Sequence, residues 1–412
     1  MGESRGFSWL VKSCIADSCR EIARSPAANH RHPNEFIPSD GSRFSSPIFN
    51  LPDDLLFECF SKVPLSTLPS LSLVCRRFAI LLDNPAFHDL RRSRGRLRRT
   101  LFAICISDLG IITSTALPVP FPTHLDSSIP ISFSTDLPAD AFFQPRLAAI
   151  GRSIYIIGRG ATLRYDTLTG AVAFRAPTIF PRKKFAAAVI GCRIYVSGGA
   201  TRTSDVEEYN PEADEWRGGA GAPKRGWVGL GRVGAAAGGI FYVIGGLRVG
   251  SRREEEEEAR GAHTCAGSMD AYHVRAGVWL RVRAVVPGGG CIVGACGAGA
   301  HVYVLASHAV ELSFWRWDGK GRRGGDWTRL EPPPVGGQLR LGGAVHFSCT
   351  SIGDAKLAAL VHASASHGGD IGRRSRGGEA VLLVYDIEAD EWSRGLDLPP
   401  GLRRAVCAYV EC

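Results

Sequence analysis

The chain has 412 residues, of which 45% are hydrophobic and 22% charged, with 49 glycines, 24 prolines and a formal net charge of +9. This length provides for one small unit and one larger domain of roughly 300 residues with a substantial core. The glycine and proline content, with 8 Trp and 9 Tyr, favours a turn-rich β protein over a helical bundle. No apolar stretch approaches the roughly 18 residues of a membrane-spanning helix, so we expect no membrane partner.

Residues 1–49 combine Ser, Arg, Pro and His without a hydrophobic period, which is typical of a disordered segment. Residues 50–90 have a different pattern. Pro52 sits where a helix can begin without losing a backbone hydrogen bond, and two aspartates follow in the positive first turn. Pro64 ends this helix, and apolar residues then recur at helical spacing up to Leu82. The segment is predicted to form two or three short helices.

A helical unit of about forty residues buries little apolar surface alone, so part of its leucine-rich face is expected to contact a partner helix. Its order of Leu-Pro-Asp from Leu51, Val-Pro-Leu-Ser from Val63 and Val-Cys-Arg-Arg-Phe from Val74 resembles the F-box. The F-box family usually has Trp where this chain has Phe78, which keeps an apolar anchor without an indole donor. The resemblance implies binding to the Skp-type adaptor of a cullin ubiquitin ligase. The residues expected to face the adaptor or support that face are Leu51, Pro52, Leu55, Leu68, Leu71, Val74 and Phe78.

Residues 91–99 are densely basic and are predicted to link the helical unit to the larger domain at 100–412. Such a run can serve nuclear import or touch nucleic acid, although a solvated helix or linker face is the simpler interpretation. Elsewhere the arginines are spread through predicted loops, and no module for reading bases is present. Nucleic acid is therefore not expected as a partner.

A repeat with one internal spacing runs through the larger domain. Three copies place Trp seven residues after Tyr: Tyr209 and Trp216, Tyr272 and Trp279, and Tyr385 and Trp392. Upstream of the first two, an apolar strand ends in paired glycines, at Gly198-Gly199 and Gly245-Gly246. A degenerate copy of the repeat around Tyr165 has Val172 where the other copies have Trp. The combination resembles the kelch repeat of β-propellers, whose blades are small antiparallel sheets that make a core only by stacking radially.

The number of blades follows from how the ends of the chain pair. Repeat copies that give five blades start near Arg146, Arg182, Arg225, Cys291 and Leu339. A sixth blade can be built from residues 100–106 and 111–113 if the C-terminal segment 403–410 supplies its missing innermost strand. This pairing leaves no sheet edge exposed, so six blades are preferred to five. The predicted fold is mainly β, a kelch-type propeller preceded by a small helical F-box.

Candidate catalytic groups do not combine into a site. The neighbouring carboxylates at Asp214-Glu215 and Asp390-Glu391 fall in a turn of the repeat, where polar residues are expected. Neither a nucleophile elbow nor a phosphate-binding loop occurs. Two Cys and two His between Cys291 and His308 could suggest zinc, but their glycine-rich surroundings favour a loop before a buried strand. The scattered cysteines, without a Cys-x-x-Cys pair, indicate a reducing compartment, so a cytoplasmic and/or nuclear protein without metal or cofactor is expected.

Together the two resemblances identify the chain as a member of the plant F-box/kelch-repeat proteins over residues 50–412. This implies the non-catalytic substrate receptor of an Skp–cullin–F-box ubiquitin ligase, in which the propeller holds a target protein. A kelch scaffold without a ligase role is the alternative, and a propeller enzyme is the third possibility.

Basic residues recur where one repeat ends in proline and the next begins, as in Pro181-Arg182-Lys183-Lys184. Equivalent connections of a propeller lie on one face and encircle its axis, so these residues are expected to form a cationic rim. Such a rim suits an acidic segment of the target. The residues assigned to target binding are Arg182, Lys183, Lys184, Arg225, Trp227 and Arg404.

Overall fold

The computed structural model describes residues 47–107, 111–121, 131–134, 139–142, 144–200, 205–219, 229–248, 267–308, 311–320, 325–335, 345–363, 380–399, 402 and 404–412. The chain divides into two compact units, Met1–Arg98 and Arg99–Cys412. The disorder expected for residues 1–49 concerns a segment that lies, up to residue 46, outside the described residues. None of the described helices is long and apolar enough to cross a membrane.

The first unit is helical. Its α-helices are α1 (Asp53–Ser61), α2 (Leu68–Ser72), α3 (Arg76–Asp83) and α4 (Pro85–Ser93), with 3-10 turns at Pro47–Asn50 and Leu65–Thr67. Four helices form where two or three were predicted, because Cys75 and Asn84 are extended and separate α3 from its neighbours. The Asn84 side chain accepts the Ala86 N–H at 2.9 Å, and Pro85 occupies the first turn, so this proline begins a helix.

Aromatic packing holds the helical unit together. Phe78 is almost fully buried and meets Phe60 edge-to-face at 4.8 Å between ring centroids. On its other side Phe49 stacks on Phe78 at 5.7 Å. Such pairs add roughly 0.5–1.5 kcal/mol to the burial itself. The smaller ring at position 78 therefore acts as the apolar anchor expected from the sequence.

The second unit is a six-bladed β-propeller, and each blade is a four-stranded antiparallel sheet. Blade 1 contains β1 (Arg99–Ile106), β2 (Ile111–Pro118), β3 (Ile131–Ser134) and β26 (Val406–Glu411). Blade 2 contains β4 (Arg146–Ile150), β5 (Ser153–Ile157), β6 (Thr162–Asp166) and β7 (Val172–Arg175). Blade 3 contains β8 (Ala186–Ile190), β9 (Arg193–Ser197), β10 (Glu207–Asn210) and β11 (Glu215–Gly218). Blade 4 contains β13 (Val233–Ala237), β14 (Ile240–Ile244), β16 (Ser268–His273) and β17 (Val278–Val285), with β12 (Gly229–Leu230) and β15 (Leu247–Arg248) pairing beside it.

The remaining blades follow the same pattern. Blade 5 contains β18 (Cys291–Ala298), β19 (His301–His308), β20 (Glu311–Asp318) and β21 (Asp326–Leu330). Blade 6 contains β22 (Val345–Ile352), β23 (Lys356–Ala363), β24 (Ala380–Asp386) and β25 (Glu391–Asp397). A 3-10 turn at Ala139–Phe142 precedes blade 2.

The two ends of the propeller close the ring. Strand β26 pairs antiparallel with β1, from Arg99 opposite Glu411 to Ile104 opposite Val406. It takes the inner position of blade 1, and the inner strands contact one another in the order β4, β8, β13, β18, β22, β26 and back to β4. Six blades with paired ends are thereby confirmed, and the count of five is wrong. Closure removes the free edges that would otherwise invite association.

Glycines near the axis let neighbouring inner strands approach closely. A Cβ atom at Gly297 of β18 would lie 1.7 Å from the carbonyl oxygen of Ala236 in β13. A Cβ atom at Gly234 of β13 would lie 2.4 Å from the carbonyl oxygen of Ala187 in β8. Neither position tolerates a side chain, so the backbones of adjacent blades touch directly at these points.

The seven-residue Tyr-to-Trp spacing is a cross-strand pair. Tyr209 lies opposite Trp216, and the same pairing occurs at Tyr272 with Trp279 and at Tyr385 with Trp392. The Trp216 indole N–H donates to the carbonyl oxygen of Ala176 at 2.8 Å, in the segment that follows blade 2. Each of these Trp side chains packs on the Tyr of its own hairpin. Trp216 also connects its hairpin to the preceding blade through the bond to Ala176.

The carboxylates in this turn have structural partners. The Tyr209 hydroxyl donates to Asp214 Oδ1 at 2.6 Å, and the Ala176 N–H donates to the same oxygen at 2.9 Å. Asp214 adopts a φ of 51°, the left-handed conformation that the tight turn needs. Desolvation opposes ionisation, but these hydrogen bonds and Arg175 hold the pKa of Asp214 below its ordinary value. The Tyr385 hydroxyl likewise donates to Asp390, so both carboxylates stabilise turns.

Candidate functional site

The apolar residues expected to serve adaptor binding divide into two groups. Four are buried inside the helical unit and support it: Leu68, Leu71, Val74 and Phe78. Three reach the surface: half-buried Leu51, exposed Pro52 and Leu55, which is 51% exposed. The second group is available to a partner, whereas the first positions the helices that carry it.

Two further apolar side chains on this unit are exposed and were not predicted from the sequence. Leu73, just after α2, is 84% exposed, and Ile80 in α3 is 58% exposed. Both are large and apolar, yet they fall off the buried stripe that contains Val74 and Phe78. That displacement from the helical period is the signal that could have identified them, because a surface position rarely gains stability from a leucine or isoleucine.

Arg77 fixes the segment that precedes α1. Its guanidinium donates to the carbonyl oxygens of Phe49 and Leu51, each at 2.7 Å, and its Nε donates to Asp53 Oδ1 at 3.0 Å. The guanidinium group of Arg77 thus bonds three acceptors and holds the Leu51-Pro52-Asp53 segment against α3. The sequence pattern includes this arginine, but its spacing does not reveal which backbone carbonyls it binds.

The basic run after residue 90 contributes arginines to the helical unit. Arg91 is buried and donates to the carbonyl oxygens of Val63 and Arg96, each at 3.0 Å. Arg96 donates to the carbonyl oxygen of Lys62 at 2.9 Å. The bonds to Val63 and Lys62 satisfy carbonyl groups just beyond the C-terminus of α1, where cations are favoured. Part of the run expected to be a linker therefore belongs to the first compact unit, which extends to Arg98.

On the propeller, the residues assigned to target binding do not share one environment. Lys183, Lys184 and Arg404 are exposed in the connections that lead into β8 and β26. Arg225 and Trp227, in the connection before blade 4, lie outside the described residues. The three exposed cations are the part of the proposed rim that the structure describes.

Arg182 must be removed from that rim, because its side chain is buried, with 1% of its surface exposed. It forms an ion pair with Glu207 and donates to the carbonyl oxygens of Gly198 at 2.6 Å and Asp205 at 3.0 Å. Glu207 also accepts the Ile179 N–H at 2.8 Å. Because every one of these contacts lies inside the fold, Arg182 joins the blade 2–3 connection to blade 3 and cannot reach a target.

The corners that enter the inner strands share one backbone conformation. Two residues before β4, β8 and β26 stand Gln144, Lys184 and Arg404, with φ of 53°, 52° and 61°. Glycines occupy the same position before β13 and β18: Gly231 with a φ of 84° and Gly289 with a φ of 73°. Non-glycine residues in this region cost on the order of 1–3 kcal/mol each. Three corners therefore carry a polar side chain where glycine would be less strained.

Three of these corners, those at Gln144, Lys184 and Gly231, line a cavity of about 390 Å³ on the propeller axis. Residues from all six inner strands line it, and Gln144, Arg146 and Lys184 contribute polar side chains. Arg146 Nε donates to the carbonyl oxygen of Phe185 at 2.7 Å, and its Nη2 donates to the carbonyl oxygen of Arg232 at 3.1 Å. In the sequence, Arg146 marks the start of a repeat, but it was not predicted to belong to a site.

The described residues include no candidate metal site. Among the residues that the structure describes, no cluster of three or more His, Cys, Asp or Glu side chains could hold a metal ion. Of the cysteines considered for zinc, Cys291 is exposed and Cys296 is buried. Burial raises the pKa of the Cys296 thiol to about 12, so it stays protonated at neutral pH.

A small helical unit with exposed leucines and a closed propeller in the same chain are the architecture of an interaction protein with two modules. Residues 48–90 match the F-box domain, and residues 181–221 match the Kelch motif. The F-box/kelch-repeat protein At5g26960 of Arabidopsis thaliana is 43% identical, over 99% of this chain and 98% of its own length. Two more Arabidopsis thaliana relatives are less similar. F-box/kelch-repeat protein At1g67480 is 24% identical over 58% of this chain and 64% of its own, and putative F-box/kelch-repeat protein At3g46050 is 29% identical over 40% and 47%. The chain belongs to the plant F-box/kelch-repeat proteins.

Proposed function

We propose that this protein is the substrate-recognition subunit of an Skp–cullin–F-box ubiquitin ligase. The F-box unit binds a Skp-type adaptor, which connects it to the cullin, and the propeller holds the target. The observation that carries the proposal is the exposure of Leu55, Leu73 and Ile80 on a small helical unit of the same chain as a closed propeller. Large apolar side chains left at the surface of so small a unit favour a docking role.

The mechanism is positional. Holding a target on the propeller while the F-box is attached to the cullin raises the local concentration of target lysines near a charged ubiquitin-conjugating enzyme. No covalent step falls to this chain, which acts as a non-catalytic receptor. Assembly of this kind takes place in the cytoplasm and/or the nucleus, and a fluorescent fusion of the full chain would locate it.

The target is proposed to present an acidic segment. Lys183, Lys184 and Arg404 support this, because all three are exposed and form no ion pair within the described residues; Lys184 and Arg404 occupy equivalent corners, and Lys183 precedes one of them. Exposed charge contacts are screened, so capture should weaken as salt rises, mainly through slower association. Changing all three residues to Ser should abolish target capture and leave adaptor binding intact. Retained capture by this variant at physiological salt would contradict the acidic-segment hypothesis.

The test of the ligase role is reconstitution with purified adaptor and cullin. The full chain should co-purify with both, and the complex should transfer ubiquitin to a captured target. Binding to the adaptor without recruitment of cullin would favour the alternative, a kelch scaffold without a ligase role. Absence of adaptor binding would refute the proposal outright.

A further inference from the structure

The axial cavity has a cationic lining. Its ionised residues among those described are Arg146 and Lys184, and no carboxylate lines it. Cys349 and Cys407 also line it, but burial raises the pKa of both thiols, that of Cys407 to about 11. Since these thiols stay neutral, the cavity has a net positive charge near pH 7. Its volume falls within the range of small-molecule sites, roughly 300–1,000 Å³.

Arg146 is held in place without an anionic partner. Its two hydrogen bonds go to backbone carbonyls of the connections before blades 3 and 4, and it forms no described ion pair. Burial lowers the pKa of Arg146 to about 10, so the guanidinium remains charged at neutral pH. A partly buried cation without a nearby anion is unfavourable, and the remaining guanidinium hydrogens are free to bind one.

The corners beside Arg146 point to the same ligand chemistry. Gln144 and Lys184 line the cavity, and neither side chain makes a hydrogen bond or ion pair with another described residue. Both occupy a left-handed corner that Gly231 and Gly289 fill elsewhere in the ring. Polar side chains kept at strained positions, next to a cavity, are typical of binding sites.

The backbone of the inner strands sets a second requirement for the ligand of the axial cavity. Each pairs with a blade neighbour on one edge only, so its other edge presents backbone N–H and C=O groups towards the axis. A ligand that satisfies both kinds of group needs hydroxyls, which donate and accept hydrogen bonds.

We propose that the axial cavity binds a small, free, hydroxyl-bearing anion, a hydroxycarboxylate or a sugar phosphate. Arg146 and Lys184 pair with its anionic oxygens, while Gln144 and the inner strand edges bind its hydroxyls. This site goes beyond the proposed ligase function, since it requires neither adaptor nor target. A carboxylate on a target side chain shares part of this chemistry, and the experiment separates the two sources.

The test is isothermal titration of the purified full chain with citrate and with glucose 6-phosphate, at constant ionic strength. At least one anion should bind saturably, whereas glucose, which lacks the charge, should not. Arg146→Gln should weaken binding about tenfold or more. The matched control is Arg193→Gln, which removes one cation from a partly exposed ion pair with Glu208 at the opposite end of blade 3 and should leave affinity unchanged.

Lys184→Gly keeps the proposal testable if Arg146→Gln does not fold. Glycine suits the left-handed corner and Lys184 is exposed, so this variant should fold and bind the anion several-fold more weakly. Equal affinity in this variant and the wild type would overturn the proposal, as would the absence of saturable binding by both anions. Binding of a glutamate-rich peptide with no binding of either free anion would assign the site to the target instead.

Discussion

Replacing Leu55, Leu73 and Ile80 together by Ala should disrupt adaptor binding without unfolding the protein. These side chains are 51%, 84% and 58% exposed, so little of their burial contributes to the fold. Covering a fully exposed leucine or isoleucine gains about 1.5–3 kcal/mol. Scaled by the three exposed fractions, their complete burial in a complex amounts to about 3–6 kcal/mol as an upper bound. The corresponding loss of affinity is roughly 10²- to 10⁴-fold.

Surface plasmon resonance with immobilised purified adaptor measures this loss, and thermal unfolding checks the fold. The matched control is Leu68→Ala, because Leu68 is buried and its truncation creates a cavity. That control should lower stability by about 2–5 kcal/mol. A triple variant that binds the adaptor within about threefold of the wild type, while melting normally, would show that these side chains do not form the docking surface.

Three further predictions concern the propeller. Deleting Val406–Cys412 removes the buried side chains of Val406 and Val410, whose burial stabilises the fold by about 3–6 kcal/mol together. The deletion also exposes the edge of β1, so the truncated chain should aggregate. A soluble monomer with an unchanged melting temperature would contradict ring closure. Glu207→Gln leaves the Arg182 charge buried without its partner and should cost about 3–5 kcal/mol in denaturant unfolding. The matched control is Glu208→Gln, in a partly exposed ion pair with Arg193, which should cost about 1 kcal/mol or less. Asp214→Asn should destabilise the protein at neutral pH. Since the folded-state pKa of Asp214 is lowered, the contribution of its carboxylate to stability is complete above about pH 4 and is lost as the pH falls through that pKa. The unfolding free energies of wild type and variant should therefore become equal in acid.

The parts of the fold that the sequence predicted are those set by local periodicity. The Tyr-to-Trp spacing fixed a cross-strand pair because the hairpin between them has a constant length, as Tyr209 and Trp216 show. The closure by β26 followed from the need to cover the edge of β1, which is a general property of sheets. Both inferences required only which residues recur and how far apart they stand.

The candidate sites were less predictable because their burial depends on distant partners. Arg182, Lys183 and Lys184 look equivalent in the sequence, but only Arg182 meets Glu207, twenty-five positions further along the chain. Likewise, Leu73 and Val74 are adjacent apolar residues, one exposed and one buried. The axial cavity could not be predicted at all, since six strands from the whole propeller build it.

The buried and exposed residues of the blade 2–3 connection have linked roles. The Arg182 N–H and guanidinium join the connection to Arg159 and Glu207, and the Lys183 N–H donates to the carbonyl oxygen of Gly199 at 2.8 Å. These bonds fix the path of the backbone immediately before the left-handed corner at Lys184. The position of the Lys184 amine at the cavity therefore depends on a residue that no ligand can touch. Substitution at Lys184 should change what the propeller binds at little cost in stability, whereas substitution at Arg182 should change stability first and binding only through the displaced corner.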